Sequence, residues 1–274
     1  MNITKNFSES LSFWNSTPKS ASALKATQTI IWRTVQNTKN NLFGYVIEAI
    51  LAPVIMMLIF NYLFGGAIAG STRDYIQFLL PGMLILTVVP LTVYSGTTIC
   101  LDITKGVYNR FRTMPFWQPS SILGPLITDG IRYTIASFSV LATGFLLGFH
   151  PEGGIMGTAL ALLFIIFFAF SVSWIFAMIG ILAKRPETVS GSSMMFIYPL
   201  LFASNIFVDS ATMPKWIQVV VDLNPISIAA SAVRGLMSGT ATTAEIVGGI
   251  AVCMLFIIVF APMTIYLYLS KNKR

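Results

Sequence analysis

Charge is scarce in this chain. Asp, Glu, Lys and Arg together supply only 10% of its 274 residues, and there are one histidine and two cysteines. Soluble domains keep about a quarter of their residues charged, whereas this sequence is 55% hydrophobic with a mean hydropathy of +0.77. A lone histidine, His150, excludes a histidine-based triad or a multi-histidine metal site within one subunit. Cys100 and Cys253 each stand alone in an apolar stretch, without the paired spacing metals require, and are expected to be reduced packing residues. No GxxxxGK[ST] phosphate loop occurs, so any work done with ATP needs another polypeptide to bind the nucleotide. A membrane-embedded enzyme would need converging nucleophile, acid, base or metal ligands, residue types that are largely missing.

Long apolar runs are what the chain has in abundance. A bilayer core about 30 Å thick takes ~20 apolar residues per helix. Six runs are expected to cross it: Leu42 to Phe64, Phe78 to Cys100, Ile122 to Phe149, Ile155 to Leu182, Met194 to Val208 with its flanks, and Ile246 to Leu269. The runs are continuous rather than alternating, which favours an all-α bundle over a barrel, because lipid cannot satisfy exposed backbone groups. The fifth is short and carries Pro199, and is expected to be kinked, broken or shielded by protein.

Basic residues orient the bundle. Lys5, Lys19, Lys25, Arg33 and Lys39 precede the first span, Lys105, Arg110 and Arg112 lie between the second and third, Lys184 and Arg185 follow the fourth, and Lys271, Lys273 and Arg274 end the chain. The opposite loops hold Arg73, Lys215 and Arg234, each with an acidic residue in the same loop. Both termini are therefore expected in the cytoplasm, which requires an even number of spans. The net charge of +7 reads as a topology signal and not as nucleic-acid binding.

The first 19 residues read as a flexible cytoplasmic tail, and residues 20–40 as an amphipathic helix with Ile30, Trp32 and Val35 set against Lys25, Arg33 and Lys39. Such a helix lies in the headgroup plane with its cations toward anionic lipid, or else is simply solvated. Residues 41–274 make up the membrane domain.

The loop at about 101–119 gathers Asp102, Lys105, Gly106, Arg110, Phe111, Arg112 and Pro115. Arginine forks suit carboxylates on a partner, and a phenylalanine between them suits an apolar pocket, so the loop reads as a cytoplasmic docking element. The same cations also satisfy the positive-inside rule or bind lipid phosphate. Charges at membrane depth cost ~2.5 to 3.5 kcal/mol each on insertion scales. Glu48, Asp129 and Arg132 are the candidates: either interfacial anchors that pair and snorkel, or the inner mouth of a pathway. Asp129 and Arg132, three apart, share one helix face. Residues 209–244 are apolar without a complete span, which suits two short helices re-entering the outer leaflet around the Asn224-Pro225 break, or an outer loop resting on the bilayer. Tyr94, Phe196, Tyr198 and Phe202 are candidates for a substrate lining, and are equally what a helix packing surface contains.

Read in order, NYLFGGAI, YIQFLLPGML, LDITKGVYNRFRTMP, LGPLITDGIRY, GFLLGF, MPKWIQ, NPIS and AVRGLMSG resemble the membrane subunit of type-2 ATP-binding-cassette exporters, most closely the daunorubicin/doxorubicin-resistance permease branch. The resemblance spans roughly residues 42–240. It implies two copies of a six-helix permease, each docked on a separate ATPase subunit that carries the ATP and Mg, with no cofactor on this chain. It makes the loop from Asp102 to Pro115 the coupling element and the helix of residues 20–40 the interfacial connecting helix. It places Met213, Pro214, Trp216, Asn224 and Pro225 in an outer region that closes the exit. This chain has Asp102 without the extra acidic neighbour often found before it. The expected cargo is an amphipathic or drug-like molecule, with polysaccharide, teichoic acid or lipid as the alternative. An ion-coupled secondary transporter is the alternative from another class, although neither an internal repeat nor a mid-span carboxylate is evident. A separate permease subunit points to a bacterial or archaeal plasma membrane.

Overall fold

The structure, a computed structural model, describes residues 23–39, 42–107, 119–208 and 210–270. The expected tail and Arg110, Phe111, Arg112 and Pro115 lie outside the described residues. The described residues are mostly helical, and none is in a strand. The helices are α1 (Ala23–Lys39), α2 (Leu42–Val46), α3 (Ala52–Ala69), α4 (Thr72–Leu91), α5 (Val93–Thr104), α6 (Ser120–Leu146), α7 (Gly154–Leu182), α8 (Pro186–Phe202), α9 (Lys215–Leu223), α10 (Pro225–Ser238) and α11 (Thr243–Ser270). A π-helical turn, Ile47–Leu51, joins α2 to α3.

By length and composition, four stretches can cross a bilayer: Ile47–Ala67, Thr72–Thr104, Gly154–Leu182 and Thr243–Ser270. The pair α9 and α10, bent by 81°, is a fifth if it counts as one span. Two of the six expected spans fall short of that standard for different reasons. Helix α6 is 27 residues long, but Asp129, Arg132 and many serines and threonines dilute it. Helix α8 has 17 residues, less than a full crossing. It also begins well before the expected Met194, because Pro186 in its first turn starts the helix, and it continues through Pro199 to Phe202.

Polar caps extend the helices beyond their apolar runs. Ser71 accepts a hydrogen bond from the Asp74 amide at 3.0 Å, which starts α4 six residues before the sequence pattern does. Thr242 and Glu245 form a reciprocal capping box at the head of α11. Together α4 and α5 run 33 residues, roughly 50 Å at 1.5 Å per residue, and so project well past a 30 Å hydrocarbon core.

Helix α7 is the hub, packed against α4, α5, α6, α8, α10 and α11. Close backbone approach makes this possible. A Cβ added at Gly96 would sit 2.3 Å from the Phe176 carbonyl oxygen, and one at Gly180 would sit 2.2 Å from that of Gly96, so α5 and α7 cross where only glycine fits. Toward the same end of the bundle, α1 lies on α6 with Ile30 over Gly124, where a Cβ would meet Ile30 at 2.4 Å. Cys100 and Cys253 are buried thiols, as expected.

Candidate functional site

Two helix irregularities create a cavity. Pro53 has no N–H to give the Ala49 carbonyl one turn back. The helix widens there into the π turn Ile47–Leu51, and the Ser139 hydroxyl of α6 lies 3.0 Å from the Ala49 carbonyl oxygen and 2.8 Å from that of Ala136 one turn back on its own helix, so the two acceptors share its proton. The second irregularity is Pro90, which ends α4 and leaves Thr92 between α4 and α5, with the Thr92 hydroxyl donating to the Val89 carbonyl at 2.6 Å. Between these interruptions lies a space of about 260 Å³, open on one side. Glu48, Pro53 and Met56 form one wall, Met83, Thr87 and Pro90 the second, and Tyr94, Met194 and Tyr198 complete it. Glu48 is exposed and, among the described residues that line it, is the only charged one.

A buried polar chain stands behind Tyr94. Ser95 donates to the Asp129 carboxylate at 2.6 Å, and the Tyr133 hydroxyl lies 2.7 Å from Ser173 Oγ and 3.5 Å from Ser95 Oγ. Asp129 is 2% exposed and has the Arg132 guanidinium 3.5 Å away. That guanidinium in turn sits 5.2 Å from the centroid of the Tyr94 ring, within cation–π range. The chain ties α5, α6 and α7 together with bonds that lipid would not replace.

The structure thus brings Glu48, Tyr94 and Tyr198 to one cavity, puts Arg132 against the far side of Tyr94, and buries Asp129 among helices. Phe196 and Phe202 do not line the cavity. Met194 and Tyr198 share a helix face by their i, i+4 spacing, whereas Phe196 falls on another face and Phe202 stacks on Phe207 with centroids 5.7 Å apart. Sequence reading missed Ser139, Ser95, Tyr133 and Ser173, which look like ordinary small or aromatic residues of apolar helices. The signal available for the cavity was Pro53, a proline five residues after a carboxylate in a span.

At the end of α5, Asp102 is held within the chain. Arg33 of α1 grips it with both arms, at 2.6 and 3.1 Å. This corrects the expectation that the cations of α1 face lipid: Arg33 turns to a carboxylate, because the Gly124 notch lets α1 lie close on α6 beside the end of α5. Lys105 is exposed, and Gly106 takes φ 71°, the left-handed conformation that ends helices and that side chains resist.

On the opposite side, Asn224 acts as a fastener. Its side-chain amide donates to the Leu200 and Ala203 carbonyls at the end of α8, at 2.7 and 2.8 Å, and its Oδ1 caps α10 by accepting from the Ile226 amide at 2.9 Å. Pro225 then opens α10, whose 81° bend from α9 follows from the extended backbone at Asn224. Helix α10 is largely buried, whereas α9 exposes Trp216, Val219, Val220 and Leu223. Met213 and Pro214 lead into α9. Arg234, counted with the outer loops by sequence, lies within α10, 3.9 Å over the Phe78 ring and bonded to the Asn205 carbonyl at 3.0 Å.

An all-helical bundle with long apolar spans, a helix laid across one end and a cavity between broken helices defines an integral membrane protein. The chain belongs to the ABC-2 type transporter family, whose profile matches residues 25–238. It is 49% identical, over 93% of its length and 90% of the other's, to the daunorubicin resistance ABC transporter permease protein DrrB1 of Streptomyces coeruleorubidus. It is also similar to the probable doxorubicin resistance ABC transporter permease protein DrrC of Mycobacterium tuberculosis, at 21% identity over 74% of each chain. The putative transport permease ycf38 of Cyanophora paradoxa is 26% identical over 70% of this chain and 67% of that one.

Proposed function

We propose that this chain is the membrane-spanning permease of an exporter that moves amphipathic, drug-like molecules out of the cytoplasm or inner leaflet, with ATP and Mg bound by a separate ATPase subunit. The observation that carries the reading is the apolar cavity between α3, the α4–α5 break and α8, in a chain that is 49% identical over 93% of its length to a daunorubicin resistance permease. Met56, Met83 and Met194 are flexible and polarisable, and suit cargo of varied shape.

In this reading the bundle has six spans, with α6 as the third and α8 as the fifth, and both termini are cytoplasmic. Residues 1–19 are a tail, residues 20–40 the interfacial helix, and residues 41–274 the membrane domain. The cavity is half of a site completed by a second copy, since drug-sized pockets run to ~300 Å³ and above. The segment 101–119 docks on the ATPase, one ATPase per permease, and the helix pair α9–α10 within 209–244 re-enters the outer leaflet and shuts the exit, with Met213, Pro214, Trp216, Asn224 and Pro225 at its turns. ATP binding closes the two ATPase subunits, the docking segment moves with them, and the paired bundles switch exposure from inside to outside. The site of action is a bacterial plasma membrane.

The test is ATP-dependent daunorubicin uptake into inside-out vesicles carrying the chain and its ATPase. We expect Arg110→Glu with Arg112→Glu to abolish uptake and substrate-stimulated ATP hydrolysis while leaving the amount and size-exclusion profile of the permease unchanged. Normal stimulation in that double variant would defeat the docking role.

A further inference from the structure

We propose that the turn between α6 and α7 is a binding site for one molecule of phosphatidylethanolamine, with an acyl chain in the groove between the two helices and the headgroup in the polar pocket beside the turn. The proposal goes beyond the permease reading and requires neither cargo nor ATPase.

Two spaces meet at Pro151, which lines both. One is a groove of about 520 Å³ between α6 and α7, walled by Phe138, Leu141, Phe145, Ile155 and Leu162. The Thr158 hydroxyl that borders it is turned back on the Gly154 carbonyl at 2.9 Å, which leaves the groove apolar. Phe138, Phe145 and Ile155 are exposed. From Gly154 to Leu162 the groove runs roughly 12 Å at 1.5 Å per residue, against about 15 Å for half of a 30 Å hydrocarbon core. That is close to the depth of one leaflet, so the groove suits an acyl chain.

The other space, about 370 Å³, lies between the turn, α4 and α10, and is bordered by Gln77, His150, Glu152, Arg234 and Ser238. The Arg234 guanidinium is fixed by the Phe78 ring and the Asn205 carbonyl. Arg73 stands beside the turn, its Nε 3.7 Å from where a Cβ on Gly148 would lie. Guanidinium groups suit a phosphate. Glu152 is exposed and forms no ion pair within 4 Å among the described residues. His150 Nδ1 lies 2.8 Å from the Gly148 carbonyl oxygen, so in the neutral ring Nδ1 carries the hydrogen and Nε2 offers a lone pair. The complementary ligand therefore carries a phosphate and, close to it, a cation with N–H groups to donate. Phosphatidylethanolamine has both. Phosphatidylglycerol lacks the ammonium, and the quaternary ammonium of phosphatidylcholine has no N–H.

The turn is also held rigidly. The Gln77 side chain donates to the Gly148 carbonyl at 2.9 Å and accepts from the His150 amide at 3.1 Å. The Gly153 amide donates to the Met237 carbonyl at 2.8 Å, and a Cβ at Gly153 would stand 2.5 Å from the Leu236 carbonyl oxygen. A turn that only joined two spans would need none of these ties, whereas fixed groups lose little freedom on binding. A lipid seated there bridges α6 and α7 to α4 and α10.

Native mass spectrometry of the full chain, delipidated in detergent and titrated with dioleoyl lipids, tests the proposal. We expect one saturable phosphatidylethanolamine adduct per chain, bound about tenfold more tightly than phosphatidylcholine or phosphatidylglycerol, as one charge-assisted hydrogen bond would give. Glu152→Gln should bring phosphatidylethanolamine down to the level of phosphatidylcholine and leave the latter unchanged. Ala159→Trp, which fills the groove from an exposed position, should weaken all three lipids together. Arg234→Gln should reduce their advantage over dioleoylglycerol, which has no phosphate. Should that variant fail to yield monodisperse protein, the wild type decides the point, since dioleoylglycerol bound as tightly as the phospholipids overturns the phosphate's part. Equal affinity of the wild type for phosphatidylethanolamine and phosphatidylcholine, or a preference that survives Glu152→Gln, overturns the headgroup assignment. An adduct untouched by Ala159→Trp overturns the groove assignment, and so does a variant that loses a protein dimer but keeps its lipid, because a second copy would then be the occupant.

Discussion

Arg33 and Asp102 show how far a single pair can alter the meaning of a sequence. Both residues stood out as charges near the membrane surface, one assigned to lipid and the other to a partner protein. Their bidentate contact across 69 positions joins α1 to the end of α5 instead. The side chains are 33% and 22% exposed, so the pair contributes modestly to stability, on the order of 1 kcal/mol or less after solvent screening. The pair ties the end of α5 to α1. We expect Arg33→Glu to lower ATP-driven transport several-fold with little change in thermal stability, and Arg33→Glu with Asp102→Arg to recover a substantial part of it. Vesicle uptake measured on the two singles and the double checks this, and a double variant no better than the worse single would show that the pair does not couple the two elements. Asp129 is a different case: at 2% exposure it accepts from Ser95 and pairs with Arg132 among α5, α6 and α7.

Among the elements, the entry into the first span departs most from a regular helix. Its composition reads as an unbroken apolar run, and Pro53 alone warns of a fault. The structure turns that fault into a π turn with a hydrogen bond supplied from α6. Removing the Ser139 hydroxyl takes a donor it shares with Ala136 away from the Ala49 carbonyl at a buried position, a change that costs about 1 kcal/mol. Ser139→Ala is therefore expected to lower the midpoint of thermal unfolding in detergent. Adding Pro53→Ala returns an N–H to the helix and should recover part of the loss. An additive or worse double variant would mean that the hydroxyl does not stand in for the missing backbone donor. The crossing of α5 and α7 follows the same logic of local exception, because Gly96 and Gly180 are unremarkable in the sequence until their backbones are seen in contact.

For the molecule as a whole, the disposition of the spans is the open test. In the six-span arrangement, Lys105 and Lys184 lie on the cytoplasmic side and Glu152 and Thr240 on the outer side. In a background with Cys100 and Cys253 replaced by alanine, single cysteines at these four positions should sort cleanly by a membrane-impermeant maleimide. Glu152→Cys and Thr240→Cys are expected to label in intact cells, whereas Lys105→Cys and Lys184→Cys label only after lysis. Labelling of Lys105→Cys and Thr240→Cys from the same side would contradict the arrangement.

Composition and order were enough to establish an all-helical membrane protein of the ABC-2 type, because the need for about 20 apolar residues per crossing and the ordered motifs are properties of the linear chain. The runs near Ile155–Leu182 and Ile246–Leu269 were legible almost to the residue, since nothing polar interrupts them. Helix α8 and the α9–α10 pair were not, because their limits are set by Asn224, which reaches back more than twenty residues to cap α8 while starting α10. The candidate site divides in the same way. Glu48 was visible as an isolated charge in a span, and Tyr94 and Tyr198 as aromatic residues on two others, but their common cavity was not. Which side chains share a cavity depends on where helices break and how closely they cross, and those are fixed by contacts between residues far apart in the chain. Tertiary packing alone brought Arg33 to Asp102, set Arg132 behind Tyr94, and left Glu48 facing open space.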